Sequence, residues 1–145
     1  MKYHLVTLGC AKNVADSEGM SALLGRTGHT VASAEEADIL IVNTCGFLQA
    51  ARQESVETLN ALGGAKRPGQ LLIAAGCLSE RVGATLQEDV PALDGIIGTQ
   101  QWTRMPELVE RLRERRLEDR WRAFVMPADK RNHVADSVAR QAEGH

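Results

Sequence analysis

Three side chains in this 145-residue sequence are reactive enough to do chemistry together: the thiols of Cys10, Cys45 and Cys77. Each stands beside a glycine, as Gly9-Cys10, Cys45-Gly46 and Gly76-Cys77. An odd number of cysteines cannot close as disulfides within one chain. Taken singly, each is well explained as a small buried hydrophobe. Meeting in one place, three thiolates can ligate an iron–sulfur cluster through three of its irons, bind zinc with a fourth ligand, or form a redox pair with one thiol to spare. Between Cys10 and Cys45 lie 34 residues, and between Cys45 and Cys77 lie 31. Such gaps depart from the local Cys-x-x-Cys spacing of zinc ribbons and of thioredoxin-type pairs, and favour a cluster over zinc. The neighbouring glycines let backbone approach a bulky inorganic core and offer N–H donors to its sulfurs.

Whether the thiols meet depends on the elements that carry them. Residues 3–9 are apolar and β-branched with a glycine stop, which predicts a buried strand. A helix is predicted over 13–28, with Asp16, Ser17 and Glu18 in its first turn and Val14, Met20, Leu23 and Leu24 on its apolar face. Residues 29–33 make a weaker strand, and 37–42 a continuous apolar run of the kind a sheet covered on both faces requires. A long helix follows position 46, with Leu48, Ala51, Ser55, Leu59 and Leu62 on one face and Gly63-Gly64 as its stop. After a turn at 66–69 come a strand over 71–75, a helix over 79–88 and a minimal strand over 95–98. The last helix is predicted over 103–117, with Thr103 as N-cap, Pro106 in the first turn, and Trp102, Met105, Leu108, Val109 and Leu112 facing inward.

This alternation predicts an α/β fold: an open, mainly parallel sheet with helices on both faces, a flavodoxin-like three-layer αβα arrangement. In such sheets ligands bind outside the carboxyl ends of the strands. Cys10 follows the first strand, Cys45 the third and Cys77 the fourth. We read residues 1–118 as one domain and 119–145 as linker or tail, where Trp121, Phe124 and Val125 are scattered and 135–142 is a short possible helix.

Composition removes several function classes. The chain carries 17 basic and 19 acidic residues for a net charge of −2, which gives no general pull toward nucleic acid or anionic membrane. With 3% aromatic residues it has few platforms for stacking bases. No apolar run approaches the roughly 18 residues of a membrane span, and no signal peptide is visible, so the expected setting is cytoplasmic, with no membrane and no direct nucleic-acid binding, and a monomer. His4, His29, His133 and His145 read as structural or solvated. Glu35-Glu36-Asp38 and Glu88-Asp89 read as solvated surface, Lys66-Arg67 as a turn tip, and 111–116 as a wet helix face paired with Glu110 and Glu114. A receiver domain would need acidic residues where Gly9-Cys10 and Thr44-Cys45 stand, and Ala11-Lys12-Asn13 is a poor phosphate loop for a flavin.

Three motifs carry a resemblance. They are Leu8-Gly9-Cys10-Ala11-Lys12-Asn13 continuing to Asp16-Ser17-Glu18, Val42-Asn43-Thr44-Cys45-Gly46-Phe47 with Ala51 and Glu54-Ser55, and Gly76-Cys77-Leu78 with Arg81. Over about residues 1–117 they resemble the N-terminal domain of the radical SAM methylthiotransferases. Within that family the Cys-Gly-Phe form, the Glu-Ser pair and the Lys-Asn after the first cysteine are similar to the branch that modifies an aspartate of a small-subunit ribosomal protein. The tRNA-modifying branch is the alternative, and a non-catalytic α/β module, zinc-binding or not, is the reading from another class. The resemblance implies that Cys10, Cys45 and Cys77 ligate an auxiliary [4Fe–4S] cluster whose open iron holds the transferred sulfur. It also implies a second [4Fe–4S] cluster and S-adenosylmethionine in a barrel domain. No cysteine follows Cys77. The expectation is therefore a cluster-holding domain with no catalytic residue of its own, inactive alone.

Overall fold

The computed structural model describes residues 1–9, 11–45, 49–76, 86–115 and 123–127. Six strands form one sheet: β1 (Lys2–Thr7), β2 (Thr30–Val31), β3 (Ile39–Thr44), β4 (Leu71–Gly76), β5 (Gly95–Gly98) and β6 (Phe124–Val125). Their order is β2-β1-β3-β4-β5-β6, and every neighbouring pair is parallel. The first five follow the flavodoxin-like order, so the expected α/β architecture is borne out.

Strands β3 and β4 are buried along their whole length, because helices cover both faces of the sheet. Alternation along each strand then sorts side chains into two cores. Ile39, Ile41, Ile73, Ala75 and Ile97 pack with Met20 and Leu24 of α1 (Ala11–Arg26) and with Met105, Leu108, Val109 and Leu112 of α3 (Met105–Glu114). Leu40, Val42, Leu72, Ala74 and Ile96 pack on the other face with Leu59 of α2 (Gln49–Gly64) and with Leu86 and Val90.

The structure moves several expected boundaries. Helix α1 starts at Ala11 rather than 13, which carries Asp16, Ser17 and Glu18 past its first turn and leaves Val14 48% exposed instead of on the apolar face. Strand β3 runs on through Asn43 and Thr44, past the end of the apolar run, because both polar side chains are buried and bonded. Thr103 is no N-cap. A 3-10 turn over Thr99–Arg104 leads into α3, whose N-cap, Arg104, makes no side-chain cap, while Pro106 does occupy the first turn.

Beyond residue 118, read above as linker or tail, Phe124–Val125 adds the sixth strand, with Ala123 and Met126 buried on either side. The turn expected at 66–69 is present, closed by the Gln70 N–H donating to the Arg67 carbonyl at 3.0 Å, and its Lys66 pairs with Asp94 at 2.7 Å. Glu110 pairs with Arg113 as the helical spacing predicts. Of the helix expected over 79–88, only residues 86–88 are described; they are helical, and the helix continues to residue 89. The expected short helix at 135–142 lies outside the described residues, as do Leu48 and Trp121. Among the described residues no helix is long and apolar enough to cross a membrane.

Candidate functional site at the carboxyl ends of β1, β3 and β4

The strand order reverses at β1: the chain passes from β1 outward to β2, then returns to the other side of β1 as β3. A crevice at the carboxyl ends is the usual ligand position in such a sheet. Register makes this edge level. Thr7 stands opposite Asn43, Asn43 opposite Ala75, and Thr44 opposite Gly76.

Of the three expected site residues, the structure describes Cys45. It follows β3 directly and is half-buried. Cys10 and Cys77 lie outside the described residues, but their flanks are described: Gly9 precedes Cys10 and Gly76 precedes Cys77. Both glycines have positive φ, +90° and +95°, a conformation that costs other residues about 1–3 kcal/mol. Gly9 also packs against Cys45. A Cβ built on it would lie 2.6 Å from the Cys45 Cβ and 2.8 Å from the Cys45 Sγ. No side chain fits between residue 9 and that sulfur.

Beneath this edge lies a buried polar network. Asn13, 1% exposed, donates from Nδ2 to the carbonyls of Leu8 at 2.6 Å and Thr44 at 2.9 Å, joining the end of β1 to the end of β3. Asn43, fully buried, donates from Nδ2 to the Asn13 carbonyl at 2.9 Å and to Ser17 Oγ at 3.0 Å. A carbonyl can only accept, so this contact fixes which end of the Asn43 amide is nitrogen. Its Oδ1 is buried and has no hydrogen-bond partner among the described residues. Thr7 donates to Ser17 Oγ at 2.7 Å, and Thr44 donates to the Ala75 carbonyl at 2.6 Å, reaching β4. Buried amide and hydroxyl pairs of this kind fix register, because a one-residue slip would strand each of them unpaired.

Two further contacts frame the edge. Ser55 of α2 exchanges hydrogen bonds with the backbone of Cys45. Lys12, in the first turn of α1, reaches Asp16 at 3.0 Å and Thr99 Oγ1 at 2.9 Å, tying that turn to the segment after β5. Beside Thr7 and Ser17 an open groove runs toward the β2 edge, lined by Leu5, Val14 and Val31 among others.

Cys45 stands out in the sequence by its type, whereas Asn13, Ser17, Asn43 and Ser55 fall within the motifs quoted without being marked there as site residues. The available signal was periodicity: Asn13 and Ser17 share the α1 face with Met20 and Leu24, where polar residues need a reason. The two described histidines, His4 and His29, stay outside the site. His4 Nδ1 lies 3.1 Å from the Ala32 carbonyl, and His29 is buried near the end of α1.

Residues 2–98 match the model of a family described as uncharacterized protein family UPF0004. Among curated proteins, the chain is 56% identical over 113 residues to the ribosomal protein uS12 methylthiotransferase RimO of Chloroflexus aurantiacus, covering 77% of this chain and 25% of that protein. It is 52% identical over 110 residues to the protein of the same name from Herpetosiphon aurantiacus, covering 75% of this chain and 24% of that protein. With the one from Roseiflexus sp. the identity is 47% over 113 residues, covering 77% and 24%. The chain thus spans about a quarter of the length of the curated relatives it matches.

Proposed function

The chain belongs to the UPF0004 family, and on that premise we propose that it is the cluster-holding part of a RimO-type methylthiotransferase acting on ribosomal protein uS12. In this reading Cys10, Cys45 and Cys77 hold a [4Fe–4S] cluster through three irons. The observation that carries it is the packing of Gly9 on the Cys45 sulfur at an edge where β1, β3 and β4 end in register. The donor set fits the group: thiols suit iron and sulfide, and glycine next to each cysteine keeps side chains away from a bulky core.

When bound, the cluster supplies an iron that lacks a protein ligand and can carry sulfur destined for the substrate. The residues of this chain hold the ligand edge. Asn13 bridges the ends of β1 and β3, Thr44 fastens β3 to β4, and the left-handed glycines turn the chain into the two flanking cysteines. S-adenosylmethionine, a second cluster and the radical step that places a methylthio group on an aspartate β-carbon of uS12 belong, in this proposal, to the lengths of the relatives that the chain does not match.

Anaerobic reconstitution with iron and sulfide tests the reading. A brown protein with broad absorbance near about 400 nm and about four irons per chain is expected, lost in Cys10→Ala, Cys45→Ala and Cys77→Ala. A colourless chain that takes up a single zinc and retains it would refute the cluster.

A further inference from the structure

The hydroxyl of Ser55 meets both polar groups of the Cys45 backbone. The Cys45 N–H donates to Ser55 Oγ at 3.0 Å, and the Ser55 hydroxyl donates to the Cys45 carbonyl at 2.9 Å. Ser55 is fully buried in α2, ten residues further along the chain. A hydroxyl has one proton to give and lone pairs to receive, so the two contacts use it without conflict. They hold the peptide groups on both sides of Cys45 against the helix.

This arrangement settles where the Cys45 amide points. N–H groups beside a ligating cysteine ordinarily donate to cluster or thiolate sulfur. Such bonds stabilise the reduced, more negative state and raise the reduction potential. At Cys45 that donor is already engaged.

We propose that Ser55 is a positioning residue that withholds the Cys45 N–H from the sulfurs of a cluster held at Cys10, Cys45 and Cys77, keeping the cluster's potential low and its sulfur electron-rich. The proposal rests on the cluster reading given above. Alanine at 55 removes the acceptor, so the amide is released toward the ligand edge. Threonine at 55 retains the hydroxyl.

Two measurements on the full chain decide it. In the cluster-free chain, hydrogen exchange of the Cys45 amide should be slow, should become fast in Ser55→Ala and should be slow again in Ser55→Thr. In the reconstituted chain, Ser55→Ala should shift the midpoint potential upward, with Ser55→Thr returning it toward the parent value. Val56→Ala is the control, because it trims the same helix where it packs on the apolar core and touches no hydrogen bond to Cys45. It should leave the potential unchanged. Equal exchange in parent and Ser55→Ala overturns the proposal, as does an unshifted potential with cluster present in both, or an equal shift in Val56→Ala. A parent chain that takes up no cluster while its Cys45 amide stays protected refutes the cluster reading and this role of Ser55 with it. That result is distinct from all three others.

Discussion

Asn43 and Gly76 occupy one space: a Cβ on residue 76 would lie 2.4 Å from Asn43 Oδ1 and 2.7 Å from the carbonyl oxygen of Thr44. The Asn43 amide is held from behind by Asn13 and Ser17, and the Thr44 oxygen is backbone, so neither can retreat. Any side chain at position 76 would therefore collide with both oxygens.

Gly76→Ala should accordingly destabilise the chain by about 3 kcal/mol or more, combining left-handed strain with a backbone collision. Gly25 provides the contrast, since it lies within α1 and nothing stands within 4 Å of its Cβ position. Gly25→Ala should stabilise by about 0.5–1 kcal/mol. Urea denaturation of the two variants reads both signs in one experiment.

Asn43→Asp gives a pH-dependent test of the network. A protonated aspartic acid can still donate to the Asn13 carbonyl, whereas a carboxylate offers that oxygen nothing and is fully buried. Burial disfavours the charged form, so the folded-state pKa of the introduced acid lies above its unfolded value. A group of that kind binds its proton more tightly when folded, so stability is highest below the unfolded pKa and falls as pH rises through the folded one. Thermal melts should show Asn43→Asp closest to the parent near about pH 4 and furthest below it near about pH 7. A constant gap across that range would mean the amide nitrogen contributes little.

Much of the fold was legible in the sequence because β3 and β4 are covered on both faces and must be continuously apolar. The two-residue strands were harder to read. Strand β2 sits at an edge with both residues exposed, and β6 carries too few apolar positions to stand out from a tail. At the site, the cysteines announced themselves by type, while Asn43 and Thr44 looked like the residues after a strand. Their burial within β3 depends on partners in α1 and β4 that no local pattern reveals. Thr103 failed as an N-cap for a related reason. Helix α3 is continuous with a preceding 3-10 turn, so hydroxyl capping has no place there.

Asp94 organises the opposite end of the sheet. Its Oδ2 accepts from Lys66 Nζ at 2.7 Å and from the Leu72 N–H at 2.8 Å, and its carbonyl accepts from Phe124 at the start of β6. Asp94→Ala leaves the largely buried Lys66 charge and the Leu72 N–H without their carboxylate, a loss of about 3 kcal/mol. Asp94→Asn keeps an acceptor for Leu72 and should lose less. Neither substitution reaches the cysteine edge. Once folded at low temperature, both variants should take up iron and sulfide as the parent does, and a selective loss of uptake would link the two ends of the sheet.

The cluster-free chain should itself unfold in one cooperative transition. Both apolar cores are built from the middles of the strands and from α1, α2 and α3, whereas Cys45 lies past the end of β3, half-buried and outside both. Replacing a partly buried thiol at an edge removes little core volume, so Cys45→Ala should cost about 1 kcal/mol or less, far below the 2–5 kcal/mol typical of a truncated core leucine. Leu59→Ala, which opens the core beneath α2, should show the larger loss. If Cys45→Ala proved as costly as Leu59→Ala in calorimetry, the thiol would be part of the fold's support rather than a ligand carried at its edge.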